Sequence, residues 1–260
     1  MTNSKATTSG TGVFAFGIFS YAVFFAVFLY GVGFIGGFFT PTTLDGAPTG
    51  SIGNALAVDL GLLGLFAVQH SVMARPAFKR WWTRIVPEAA ERSVYVLLSS
   101  LALAALFYFW QPIGGVIWDA PDGWARDAVI AVYLLGWALL LYSTFLIDHF
   151  DLFGLRQSWN RLKGNAYTPP QFYTPSLYRL VRHPLYVGWL TIFWAAPTMT
   201  VAHLVFALAT TAYILIAIQL EERDLVDAFG ERYLKYRRQT PMLVPRLWRR
   251  REAPRSAAKV

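Results

Sequence analysis

An all-α fold, a polytopic membrane helical bundle of four transmembrane helices plus a C-terminal helical hairpin, is what three features of the sequence predict. Of the 260 residues 55% are hydrophobic and only 15% are charged, against roughly 25% charged in an average soluble domain. The apolar residues come in long blocks, each near the ~20 residues that cross a bilayer as a helix. Lys and Arg gather in alternate connections between those blocks, the asymmetry described by the positive-inside rule.

The first block runs from about Val13 to Phe39 behind a polar start carrying Lys5. It is longer than a signal-peptide core and lacks a small-residue cleavage site, so it reads as a retained transmembrane helix. Similar blocks span Ile52 to Gln69, Val94 to Trp110 and Ala128 to Ile147. From Leu185 to Leu220 one long apolar stretch is interrupted between Pro197 and His203, which reads as a hairpin with a short first arm. Gly33 and Gly37 form a GxxxG pair, a spacing that packs membrane helices and that also arises by chance in so glycine-rich a segment. The whole chain, 1–260, is expected to be one domain: 1–180 holds the four helices and their inner loops, 181–245 the hairpin and the segment after it, and 246–260 a basic tail.

The charges test this topology. Of the 23 Lys and Arg, Lys5 precedes the first helix, five follow the second, five lie between the fourth helix and the hairpin, and eleven run from Arg223 onward. Only Arg126 falls in the other set of connections, which otherwise carry acids or nothing. Both termini are therefore expected on the cytoplasmic side. The net charge of +8 reads as topology, with attraction of the tail to anionic membrane lipid, and nucleic acid is not an expected partner. Cysteine is absent, which excludes disulfides, zinc–thiolate sites, iron–sulfur clusters and a cysteine nucleophile. Four histidines are too few for histidine-rich di-iron boxes, and no metal is expected. No feature bears on oligomeric state.

Polar residues cluster on the cytoplasmic side: "QHSVMARP" (69–76), "IDHFDLFGLRQ" (147–157), "VRHPLYVGW" (181–189) and "EERDL" (221–225). A hairpin returns its end to the level of its start, which should bring Glu221 and Glu222 beside His183 and Tyr186. Pro184 suits the first position of a helix and His183 the residue before it. That helix would point unpaired N–H groups and a positive dipole end into the cavity, where a carboxylate is favoured. Glu221 and Glu222 suit an ammonium or ribose hydroxyls, while Tyr186 and Trp189 offer faces to a cationic centre. S-Adenosylmethionine carries all of these groups.

The order "RHPLYVGW", "EERDL", "FGERYLKYRRQTPMLVP" (229–245) resembles the C-terminal signature of the isoprenylcysteine carboxyl methyltransferase and phospholipid methyltransferase superfamily. The resemblance implies a membrane methyltransferase fold enclosing S-adenosylmethionine, with S-adenosylhomocysteine as product. It adds Arg182, Gly188, Arg223 and Tyr233 to the cofactor wall. "QHSVMARPAFKRWWTRIVPEAAERSVYVL" (69–97) and "DHFDLFGLRQ" (148–157) resemble the bacterial methanethiol S-methyltransferase group, related to NnrU-like membrane proteins. That resemblance implies a small-molecule thiol, methanethiol, as acceptor, dimethyl sulfide as product, and a bacterial inner membrane as the location.

A thiol must lose its proton to attack, and free cysteine, with a pKa of about 8.5, shows that thiols are mostly protonated near neutrality. His149 beside Asp148 is the first candidate for base and orienting carboxylate, although adjacent helical residues point ~100° apart. His70, alone or paired with Asp148 across helices, is the second. Arg75 would lower the thiol pKa or mark the surface; Gln69, Arg156 and Gln157 would close the pocket, with Phe150, Phe153 and Trp159 as its apolar wall. Asp59 and His203 are read as structural, being nearer the outer face. Three alternatives stand beside this reading. The C-terminal signature also resembles sterol reductases, which implies NADPH but more helices than six crossings. The acceptor could instead be a lipid or isoprenylcysteine, or the chain a non-enzymatic NnrU-like factor or transporter.

Overall fold

A computed structural model describes residues 9–48 and 50–245; Lys5 and the basic tail 246–260 lie outside the described residues. Among the described residues five helices are long and apolar enough to cross a membrane: α1 (Gly10–Gly36), α2 (Ile52–Ala74), α4 (Glu88–Phe109), α5 (Trp124–Leu146) and α9 (Val201–Phe229). Between them lie the short helices α3 (Pro76–Trp82), α6 (His149–Leu152), α7 (Leu155–Lys163) and α8 (Pro184–Trp194), and α10 (Glu231–Gln239) follows α9. Among the described residues the all-α expectation holds but for one strand pair, β1 (Val116–Asp119) antiparallel to β2 (Thr198–Thr200). Large apolar side chains such as Phe19, Leu29, Leu65, Leu135 and Ile216 face outward. Apolar surface on this scale is stable in lipid and not in water, so the chain is an integral membrane protein.

Helix boundaries depart from the hydropathy blocks where polar residues cap them. The second helix runs past Gln69 to Ala74 and stops because Pro76 forces Arg75 into an extended conformation. Helix α4 begins at Glu88 rather than Val94, since Glu88 and Glu91 suit the positive end of its dipole. The first helix ends at Gly36, with Gly37 at φ 74° as a left-handed cap whose N–H bonds the Gly33 carbonyl. Gly33 and Gly37 thus terminate a helix and do not form a packing face. The short first arm of the hairpin is present as α8, but the second arm, α9, continues to Phe229. Glu221 and Glu222 therefore sit within a helix and not at its end.

We call the end carrying the strand pair the outer end. There the connection after α1 meets the hairpin turn: Asp45 accepts from Thr200 (2.5 Å) and bonds His203 Nδ1 (2.9 Å). Asp59, fully buried, accepts the Gln111 N–H at 2.9 Å. Arg126, the cation on the otherwise acidic side, is held by Asp119 and Asp122. These contacts give Asp59, His203 and Arg126 fastening roles. The core between the ends is aromatic: Phe28 meets Trp137 edge-on, and Trp137 meets Trp189 edge-on, linking α1, α5 and α8. At the inner end the starts of α4 and α8 and the ends of α2, α5 and α9 come together around the polar residues described next.

Candidate active site

The head of α8 is built as the sequence predicts. His183 precedes Pro184 at the first helical position, and no side chain caps the helix, leaving its first N–H groups for an anion. The hairpin does return both glutamates: Tyr186 donates to Glu221 Oε2 at 3.0 Å, and His183 Nε2 lies 3.0 Å from Glu222 Oε1. Glu222, only 2% exposed, is also gripped by Arg182 (2.6 Å) and Arg237 (3.2 Å). Arg182 donates further to the carbonyls of Arg237 and Thr240, while its N–H and that of His183 bond Pro241 and Met242. Residues 237–242 are thereby strapped over the head of α8. Glu222, expected to meet ligand, has both oxygens committed to this strap, and Glu221 is the more open of the two. Tyr233 is buried, edge-on to Phe172. Gly188 lies against the backbone of Leu140, a helix-packing position. Arg223 points outward to the exposed surface.

Helices α2 and α4 form the facing wall. His70 bonds the Tyr95 hydroxyl (2.8 Å from Nε2) and Ser99 (3.1 Å). Gln69 donates to Met73 sulfur and Ser99, and its own side-chain oxygen is buried without a partner among the described residues. The Arg92 guanidinium sits 4.8 Å over the Tyr95 ring. Ser71 bonds Tyr213 of α9, and Arg75 pairs with Asp224 at 2.8 Å. Tyr213 lies on α9, the helix whose Glu221 accepts from Tyr186, so α9 ties this wall to the head of α8.

The third group surrounds His149. Asp148 adopts φ 75°, a left-handed conformation that aspartate tolerates, and caps α6 by accepting the Asp151 N–H. This turn sends His149 inward, 4% exposed, stacked on Phe145 at 4.4 Å and tilted against Phe153 at 4.8 Å. Its Nε2 lies 2.8 Å from the Tyr21 hydroxyl and its Nδ1 2.8 Å from Thr144 Oγ1. Burial pushes the imidazole below its ordinary value, and the Asp148 carboxylate pulls it part of the way back. Asp148 itself bonds Arg156 at 2.5 Å, so it touches neither histidine. A His70–Asp148 pair is ruled out by α4, which takes both hydrogen bonds of His70.

Phe153 stacks on Phe24 at 3.9 Å, and both pack on Met73, Tyr95 and Val96. A continuous aromatic layer therefore joins His149 to the His70–Tyr95 wall. Phe153 is part of this layer; Phe150, half exposed, meets His149 edge-on at 5.3 Å, and Trp159 packs instead on Phe14. Gln157 instead borders a cleft of about 700 Å³ with Arg92, Asp151 and Tyr167. There burial raises the Asp151 carboxyl and pushes the Tyr167 phenol up to about 12. Sequence reasoning missed Tyr21, Tyr95, Thr144 and Tyr213. Each lies inside an apolar block, where an aromatic or hydroxyl residue reads as helix packing.

An integral membrane protein whose bundle gathers histidines, glutamates and tyrosines against aromatic rings at one end is the class that fold and site define. The family described as NnrU protein matches residues 60–244, and the chain belongs to it. The chain is 54% identical to the methanethiol S-methyltransferase of Crocosphaera subtropica over 244 residues, 94% of this chain and 96% of that protein. It is 52% identical to the methanethiol S-methyltransferase of Mycobacterium tuberculosis, over 88% of this chain and 94% of that protein. Nurim of Sus scrofa is 35% identical over 65% of this chain and 68% of its own. No solved structure matches the chain.

Proposed function

We propose that this chain is a membrane methyltransferase that converts methanethiol to dimethyl sulfide, with S-adenosylmethionine as donor and S-adenosylhomocysteine as product. The observation that carries the reading is the pairing of an uncapped helix start and a glutamate with a facing aromatic wall at His70 and, joined to it, a buried His149 bonded by Tyr21. The inner end is the cytoplasmic end of a bacterial inner-membrane protein by the distribution of its cations.

The residues present fit the donor. The first N–H groups of α8 suit its carboxylate, Glu221 its ammonium or ribose hydroxyls, and the faces of Tyr186 and Trp189 its sulfonium. When bound, it supplies a methyl group on a positively charged sulfur. The chain's own residues then have three tasks. The strap from Arg237 to Met242 covers the head of α8 and keeps water out. Phe24 and Phe153 give a small apolar thiol a dry wall. His70 and Ser99 hold the polar side of this wall in place, and Arg92, 4.8 Å over the Tyr95 ring, makes the surroundings positive, which favours thiolate. His149, held neutral by burial, accepts the thiol proton.

Purified protein supplied with both substrates should release dimethyl sulfide into the headspace and accumulate S-adenosylhomocysteine. No binding of S-adenosylmethionine, or binding of NADPH in its place, refutes the proposal. A base must be unprotonated, so activity should fall with acid only below the ordinary imidazole value of ~6.5. Asp148→Asn keeps the α6 cap and removes the charge that raises the His149 pKa. Its acid limb in kcat/KM should move to still lower pH; an unmoved limb would exclude His149 as the titrating group.

A further inference from the structure

The hydrogen bonds around His149 form a chain with only one consistent assignment of protons. Thr144 Oγ1 lies 2.7 Å from the Leu141 carbonyl, which can only accept, and a hydroxyl has one proton to give. Thr144 therefore donates to Leu141 and must accept from His149, fixing the proton on Nδ1. In the neutral ring Nε2 is then a lone pair, and the Tyr21 hydroxyl 2.8 Å away is its donor. Thr144 and His149 are each 4% exposed, so water does not rewrite this arrangement, whereas Tyr21 is only half-buried. The Tyr21 ring is edge-on to Phe153 and tilted against Phe24, the two rings that pack on Met73 and Tyr95. Its hydroxyl thus lies beside the apolar wall, while the one lone pair of His149 is sealed behind it.

The geometry points to Tyr21 as the group that meets the thiol, relaying its proton to His149, with Thr144 as the positioning residue that fixes the tautomer. The inference rests on the function proposed above. In the step, the thiol S–H bond breaks and its electron pair stays on sulfur. That proton goes to Tyr21 Oη as the original Oη proton passes to Nε2. The products are a thiolate and an imidazolium still bonded through Nδ1–H to Thr144. Concerted transfer avoids a free phenolate, whose proton affinity would exceed that of the thiolate. The charges facing the new imidazolium are Asp148, which stabilises it, and Arg156, already paired to Asp148.

The test has two arms on the full chain in lipid nanodiscs. With ¹⁵N-labelled histidine, His149 identified by its loss in His149→Gln, the wild type should show an Nδ1–H tautomer at neutral pH. Thr144→Val should convert it to a mixture or to Nε2–H, and Thr144→Ser should restore it. In the second arm, Tyr21→Phe should lower kcat at neutral pH by about a hundredfold, in the range of general acid–base catalysis. S-Adenosylmethionine affinity should stay within about twofold, and the rate should recover as pH rises and solution supplies thiolate. An Nε2–H tautomer in the wild type, or a full neutral-pH rate in Tyr21→Phe, overturns the relay. A wild type that binds S-adenosylmethionine but forms no dimethyl sulfide overturns the function itself, which separates the two failures.

Discussion

Glu222→Ala is expected to lose about 3–5 kcal/mol of stability, the usual result of leaving buried charges without their partner. The carboxylate is 2% exposed and meets Arg182, His183 and Arg237. Its removal strands the Arg182 guanidinium, whose side chain is 10% exposed, and frees the strap that covers the head of α8. Thermal unfolding in detergent should show a large drop in Tm, with S-adenosylmethionine affinity lost alongside it. Glu221→Ala should behave oppositely: affinity falls, because its open oxygen faces the proposed ligand, while Tm changes little. A Glu222→Ala protein that melts like the wild type yet binds no methyl donor would make Glu222 a ligand group and not a fastener.

Gly188→Val is expected to be nearly as damaging, by a different mechanism. A Cβ at Gly188 would fall 2.9 Å from the Leu140 nitrogen and 3.0 Å from its Cα. Backbone cannot rotate aside as a side chain can, so α5 and α8 must separate. Overpacking of this kind costs about 1–3 kcal/mol, and the shift moves the start of α8 where the donor's carboxylate would bind. Gly53→Ala, where a Cβ meets nothing within 4 Å, serves as the control and should leave Tm and affinity unchanged. Equal behaviour of the two variants would show that α5 and α8 are not packed through Gly188.

The juxtaposition of Tyr186 with Glu221 and of His183 with Glu222 was legible in the sequence. It follows from two local facts, a proline after His183 that starts a helix and an apolar stretch long enough to go out and return. The allocation of roles between neighbouring residues was not legible. Glu221 and Glu222 are the same residue type side by side, and only the non-local approach of Arg182, with Arg237 from α10, commits Glu222 to the strap. Asp148 and His149 read as a pair because they are adjacent. A left-handed backbone at Asp148 instead turns the carboxylate to Arg156 and the imidazole into the bundle.

The sequence by itself determined that the chain crosses a membrane, roughly where it does so, and which connections share a side. Those properties depend on the solvation of each segment, and solvation is summed over neighbouring residues. Only the tertiary structure decided which hydroxyls meet the histidines. Tyr21 and Tyr95 lie in helices distant in sequence from the groups they serve: Tyr21 bonds His149 across the bundle, and Tyr95 bonds His70 across a helix pair. Inside an apolar block a tyrosine differs from a phenylalanine by one hydroxyl. Hydropathy patterning averages that atom away, whereas a buried hydroxyl must find a partner, and the partner is set by how the helices rotate against one another.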